Sequence, residues 1–104
     1  MPVVTLDINS NNAPVIASGT YTGTTASQTI AVGFAPSWIQ AWNQTDGDTV
    51  WYWHKSSLTN YVAMTTAAAT VSAAITTVDS GFVLAASDAV ANENGKTYVY
   101  LCGR

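Results

Sequence analysis

Short segments in which apolar and polar residues alternate recur along this chain, and clusters rich in Gly, Pro, Asn and Asp separate them. The clearest segments are VIASGTYTG, SQTIAVGF, SWIQAWNQ, TVWYWHK, NYVAM, SGFVL and TYVYLCGR. A period of two, with many β-branched and aromatic residues, is typical of strands that bury one face. About seven or eight short strands of this kind predict an all-β fold, an antiparallel β-sandwich or a barrel-like domain.

Two segments near the C-terminus add detail to this prediction. The alanines of TTAAATVSAAITTV allow a helix, but its threonines and valines disfavour one, so we predict a strand or an extended loop. In TYVYLCGR the alternation places Tyr98, Tyr100 and Cys102 on one face of the last strand. Free cysteines are among the most buried residues, so Cys102 is expected to be a small buried side chain on this strand. Asn94-Gly95, just before it, is a further hairpin signal.

All four tryptophans lie in the segment SWIQAWNQTDGDTVWYWHK, which predicts a β-hairpin. Asp46-Gly47 suits a two-residue turn of type I′, because that turn needs positive φ at both central positions. A turn at this point pairs Trp42 with Trp51 and places all four tryptophans on one face of the hairpin. A change of register by one residue would divide them between the two faces.

Composition and charge narrow the possible functions. Charged residues make up 9% of the chain and the net charge is −3, whereas globular proteins average about 25% charged residues. Few basic residues are present, which argues against partners that are recognised through phosphates, namely nucleic acids and anionic membranes. A surface so poor in charge favours a protein that neighbours cover in an assembly.

Several features bear on the compartment. The single cysteine excludes an internal disulfide and a cysteine-rich zinc site. No basic segment precedes an apolar one at the N-terminus, and the apolar runs are shorter than the ~20 residues of a membrane-spanning helix. We therefore expect a soluble protein made in a cytoplasm.

The tryptophans could form a core, a subunit interface or a sugar platform. Aromatic rings bind sugars through their apolar faces, which makes Trp42, Trp51 and Trp53 candidate glycan contacts. However, four indoles carry roughly 150–250 Å² each, which corresponds to about 15–25 kcal/mol of gross burial energy. A domain of this size has a net stability of about 5–15 kcal/mol, so core packing is the favoured interpretation.

No motif indicates an enzyme, a cofactor or a metal. Asp46 and Asp48 could ligate calcium, but the twelve-residue calcium loop is absent and turn formation explains them more simply. His54 is the one histidine, and no G-x-S-x-G motif accompanies it. Glu93 is the one glutamate, so a glycosidase-like carboxylate pair would need aspartates from distant turns.

The order of several motifs resembles a β domain of tailed-bacteriophage virion proteins. The motifs are G-x-Y-x-G in GTYTG, then QTIAVGFAP, WN and GF, and finally N-x-x-G-x-x-Y-x-Y in NENGKTYVY. They span about residues 18 to 102. The domain occurs at the ends of tail-fibre-like proteins and as small free-standing proteins that look like capsid decoration, or cement, proteins.

The resemblance implies a structural role. The chain begins with Met1 and carries the domain and a short arm, so the free-standing form is the closer match. It implies a decoration protein, a homotrimer that binds the major capsid protein on the outside of the phage head, and a virion location after synthesis in the bacterial cytoplasm. The alternative is a tail-fibre tip, a glycan- or receptor-binding module.

Residues 1–14 are predicted to be an N-terminal arm, and residues 15–104 a single β-sandwich domain. The arm contains VVTLDI, followed by the turn-rich cluster NSNNAP. It could add a strand to the sheet edge of a neighbour or lie across the shell, and it could equally be an ordinary first strand of the same domain. Its candidate partner contacts are Val3, Val4, Leu6 and Ile8.

Overall fold

A computed structural model describes residues 16–65, 69–73, 75–86 and 88–104 of the chain. These residues form nine β-strands and one 3-10 turn at Lys55–Ser57. The strands are β1 (Ile16–Thr22), β2 (Gln28–Ala31), β3 (Trp38–Asn43), β4 (Thr49–His54), β5 (Asn60–Thr65), β6 (Ala69–Ala73), β7 (Ile75–Val78), β8 (Gly81–Leu84) and β9 (Thr97–Gly103).

The strands form two antiparallel sheets, which confirms the predicted all-β, sandwich-like fold. The larger sheet has six strands in the order β1-β9-β3-β4-β5-β6, and the smaller has three in the order β2-β8-β7. The number of strands is one or two higher than predicted, because TTAAATVSAAITTV contributes two of them, β6 and β7. Its threonines and valines outweigh its alanines, as the sequence indicated.

The core lies between the two sheets and is rich in aromatic rings. Trp51 is fully buried and meets Tyr61 and Phe82 edge-on, with ring centroids 5.5 Å and 6.3 Å away. Tyr21 stacks on Tyr98 at 4.8 Å. Edge-on and stacked pairs are the arrangements that the ring quadrupoles favour. The predicted burial of Cys102 is confirmed, and Tyr98 and Tyr100, which share its face of the last strand, are buried as well. 

The predicted register of the tryptophan hairpin is wrong by one residue. Trp51 pairs with Ala41 rather than with Trp42, because the connection is a five-residue loop rather than a two-residue turn. The side chain of Asn43 accepts a hydrogen bond from the Asp46 amide at 3.0 Å, and its carbonyl accepts one from the Gly47 amide at 2.9 Å.

The change of register moves half of the tryptophans to the opposite face of the hairpin. A shift of one residue exchanges the two faces of a strand relative to its partner. As a result Trp51 and Trp53 point into the core, at 0% and 3% exposure, whereas Trp42 on the neighbouring strand points outward at 40%. The tryptophans do not share one face, and His54 lies opposite Trp38.

The predicted turn at Asn94-Gly95 is present, but it does not close a hairpin. Gly95 has a φ of 81°, and the residues around it lead from β8 in the small sheet to β9 in the large one. Asn92 fixes this connection. Its amide oxygen accepts hydrogen bonds from the Thr24 amide at 3.0 Å and from Gln28 Nε2 at 2.7 Å, and its amide nitrogen donates to the Ala26 and Ala85 carbonyls.

The arm predicted at residues 1–14, with Val3, Val4, Leu6 and Ile8, lies outside the described residues. The boundary between arm and domain therefore stays a prediction. The nine described strands make up the two sheets of the sandwich.

Candidate functional site

The surface of the large sheet that points away from the core is the most unusual feature of the described residues. Strand pairing places two parallel rows of side chains across β9, β3, β4, β5 and β6 on this side. We call these two rows the outer face. Its residues are Leu101, Gln40, Tyr52, Val62 and Val71 in one row, and Val99, Trp42, Val50, Met64 and Ala69 in the other.

The outer face is apolar at nine of these ten positions, Gln40 being the exception. In an antiparallel sandwich, the solvent-facing side of a sheet is usually polar. Here large apolar side chains stand in solvent instead: Tyr52 is 42% exposed, Met64 61% and Val71 72%. In this part of the sheet, successive residues of a strand therefore point to two faces that are both apolar.

The size of the outer face makes it more than a scatter of single exposed residues. Five strands at about 4.8 Å spacing and two rows about 7 Å apart cover roughly 24 Å by 14 Å, or ~330 Å² in projection. The largest apolar patch on a typical monomer has about 300–600 Å² and is often functional. Aromatic residues and Met, represented by Trp42, Tyr52 and Met64, are also the types enriched at protein interfaces.

Charge is absent from this surface and from the rest of the described strands. None of the nine strands contains Asp, Glu, Lys or Arg. The described charges lie in the loops and at Arg104, and the described ion pair joins Lys96 to Asp46 across two exposed loops at 3.2 Å. Lone proteins commonly protect their sheet edges with charged residues, above all Lys. The strands of this chain carry no such protection, which favours a protein whose sheets meet other protein surfaces.

A concavity borders the outer face on the side of β5 and β6. It has a volume of about 280 Å³, and its walls include Tyr52, His54, Asn60, Val62 and Val71. Its walls carry no carboxylate, ammonium or guanidinium group. The same side of the sheet thus carries both a partly exposed indole, that of Trp42, and a recess.

The three candidate glycan contacts do not come together. Trp51 and Trp53 are buried in the core, and each indole nitrogen already donates a hydrogen bond there, Trp51 to the Tyr21 hydroxyl at 3.1 Å and Trp53 to the Leu58 carbonyl. The prediction that they contact a glycan is therefore wrong, and the core interpretation holds for both. Trp42 remains exposed, with Tyr52 on the adjacent strand.

Two acidic side chains of the described loops, Asp88 and Asp46, are engaged in local structure. Asp88 accepts hydrogen bonds from the Tyr61 hydroxyl at 2.9 Å and from the amides of Val90 and Ala91. Asp46 faces Lys96 and the side chain of Asn43. Across the described ranges, no group of three or more His, Cys, Asp or Glu side chains is arranged to hold a metal ion.

Burial perturbs the protonation of the core phenols. Desolvation raises the pKa of Tyr98 to about 12, and it raises the pKa of Tyr21 further. Desolvation also raises the pKa values of Tyr100 and of the Cys102 thiol. All four groups are therefore neutral near pH 7, and the thiol is held away from the thiolate form that reacts.

Comparisons with known proteins add no relative. No protein-family model, no curated protein and no solved structure matches the chain. Among the described residues, no helix is long and apolar enough to cross a membrane.

Apart from Trp42, the residues of the outer face were not predicted from the sequence to be functional. A signal for some of them was present, since Val50, Tyr52, Val62 and Met64 occupy strand positions next to buried ones. An apolar residue at every position of a strand indicates two apolar faces. The runs VWYW and YVAM meet this condition, and they indicate a second apolar face on β4 and β5.

Proposed function

We propose that this chain is a structural protein of a phage virion, a decoration protein that binds the outside of the head and stabilises the shell of the major capsid protein. One observation carries the proposal: the large sheet presents an uncharged apolar face to solvent, in addition to the apolar face that it buries in the core. A face of this kind is suited to permanent contact with protein and is costly to leave in water.

The order of motifs from GTYTG to NENGKTYVY supports the phage assignment. In the structure these motifs lie, in chain order, on five strands of one sandwich: GTYT in β1, QTIA in β2, WN at the end of β3, GF in β8 and TYVY in β9. A decoration protein needs a rigid fold and many copies, since weak contacts add up when a particle offers many sites. We propose a homotrimer, as the resemblance implies.

The copy number of the chain in purified virions tests this proposal. Quantitative mass spectrometry against the major capsid protein is expected to give a ratio near one to one. A ratio of a few per hundred would remove the decoration role and assign the chain to the tail. Virions that lack the chain are expected to release their DNA at a lower temperature than complete virions, which provides a second readout of shell stabilisation.

A glycan-binding tail-fibre tip is the second candidate. One observation favours it: Trp42 and Tyr52 expose aromatic surface on adjacent strands, beside a recess with polar groups from His54, Ser57 and Asn60. A glycan array with the intact chain and with Trp42→Ala separates the two candidates. Binding that the intact chain shows and the variant loses would favour the tip over the decoration protein.

A further inference from the structure

We propose that the outer face is where copies of this chain contact each other, with Trp42 of one copy seated in the concavity between Tyr52 and Val71 of the next. The contact rests on the surface of the described residues. Its closure as a ring of three rests on the proposed function.

The outward side of the large sheet, with the outer face at its centre, is large enough for such a contact. The outer face alone covers ~330 Å² in projection, whereas all six strands at about 4.8 Å spacing and roughly 20 Å in length cover ~600 Å², and side chains make the accessible area larger. A standard protein interface takes about 800 Å² of accessible surface from each partner. The two rows of apolar residues would form the dry centre of the contact, and polar residues at its margin, such as Ser18 and Thr20 on β1, would form its rim.

Charge makes another copy of the chain a suitable occupant. Each copy carries a net charge of −3, so two copies repel each other over most of their surfaces. The outer face contributes nothing to that charge, so two acidic copies can meet on it without bringing like charges together. A basic partner, in contrast, would be selected by acidic side chains, which this face does not present.

Shape makes the face complementary to itself. Trp42 exposes part of its indole on β3, and the walls of the concavity include residues of β4, β5 and β6. Trp42 and Val71 are three strands apart in one chain, about 14 Å, so the indole of one copy is placed to fill the recess of another. A knob and a recess on the same face allow both a reciprocal twofold pair and a closed ring in which each copy contacts the next.

The mass of the full-length chain in solution tests the contact directly. Sedimentation equilibrium is expected to show a multiple of the 10.9 kDa chain, and Trp42→Lys is expected to weaken association by at least about 30-fold, as for an interface hot spot. Thr29→Lys is the matched control, because it adds the same charge at an exposed strand position of the small sheet. Circular dichroism checks that both variants are folded.

Two results would overturn the inference. A wild-type chain that stays at 10.9 kDa up to about 100 μM, or an equal loss of association in Trp42→Lys and Thr29→Lys, would show that the outer face does not join copies. Copy number is an independent readout: a monomer present at one copy per capsid subunit removes this inference and keeps the decoration role, whereas an oligomer of low copy number does the reverse.

A cysteine pairing experiment tests the geometry while keeping Trp42. Gln40→Cys and Val71→Cys are made in separate proteins and mixed under oxidising conditions. The two positions are too far apart in one chain for a disulfide, which needs Cα atoms within about 7 Å. The mixture is expected to form a linked dimer faster than either protein alone. Linkage of Val71→Cys mainly to itself would place the recesses against each other and contradict the proposed seating of Trp42.

Discussion

Alanine replacement of one tryptophan on each face of the hairpin tests the strand register that the structure assigns, through the unfolding free energies of the two variants. Trp51→Ala and Trp42→Ala remove the same atoms from adjacent strands. Trp51 is fully buried, and its loss leaves a cavity between Tyr61 and Phe82, so we expect it to cost about 3–5 kcal/mol of unfolding free energy. The removed indole also leaves the Tyr21 hydroxyl without the donor that now lies 3.1 Å away.

The expected difference between the two variants follows from exposure. Trp42 is 40% exposed, so about 100 Å² of its roughly 250 Å² already lies in water, which corresponds to ~2.5 kcal/mol at about 25 cal/mol per Å². Water also fills the space that alanine leaves on an open surface, so no cavity cost is added. Trp42→Ala should therefore be at least ~2.5 kcal/mol more stable than Trp51→Ala.

Urea denaturation followed by circular dichroism gives both values, provided that the slope with denaturant is unchanged. The measurement is made at the lowest practical protein concentration, because contacts between copies would add to the stability that Trp42 supplies. Equal losses for the two variants would refute the assigned register and restore the arrangement with all tryptophans on one face.

Three further predictions concern the core and its closing loop. Asn92→Ala should lower the unfolding free energy by about 2–4 kcal/mol in urea denaturation, since it removes a buried amide that makes several partly buried hydrogen bonds; a loss below ~1 kcal/mol would show that the loop is held by other contacts. Between pH 10 and pH 12 the unfolding free energy should fall. The unfolded phenols ionise near pH 10, whereas burial keeps the pKa of Tyr98 at about 12, so the folded state binds more protons than the unfolded state in this window. Tyr98→Phe should reduce this slope, and an unchanged slope would contradict the assignment. Cys102, buried and with a raised pKa, should react with thiol reagents at a rate that rises with denaturant; rapid labelling of the native chain would place it at the surface.

The fold was predictable from the sequence because its strands are locally consistent. Tyr98, Tyr100 and Cys102 alternate with less buried neighbours, and Gly81-Phe82 begins the short strand that SGFVL indicated. Period-two alternation reports which residues share a face of a strand, and it does so without knowledge of the partner strand. For this reason the residues that share a face of β9 were correctly identified, and so was the burial of Cys102.

The register of the hairpin was not predictable in the same way. Asp46-Gly47 is compatible with both a two-residue turn and the longer loop that the chain adopts, and Gly47 has a positive φ in this loop as it would in the turn. The choice depends on Asn43, whose side chain and carbonyl both bind loop amides. The loop is also held by β9, since the Gln44 amide donates to the Thr97 carbonyl and the Thr97 amide donates to the Thr45 hydroxyl, both at 2.8 Å. These partners are distant in the sequence, so local propensity does not report them. The outer face followed from the register and was missed with it.

The order of the strands in the large sheet has a consequence for synthesis of the protein. Strand β9 lies between β1 and β3 and pairs with both. It is also made after all the other described strands, so while the ribosome is still translating, β1 has no partner in its sheet and β3 has an unpaired edge. Pairing between distant segments is slow because loop closure precedes the gain in contacts.

The large sheet is therefore completed only after Thr97–Gly103 leaves the ribosomal tunnel. A chain whose translation stops before this strand retains a meander of β3 to β6 with an open, uncharged edge, a form prone to pair with other nascent chains. The sheet that bears the outer face is continuous only when β9 has joined β1 to the meander of β3 to β6.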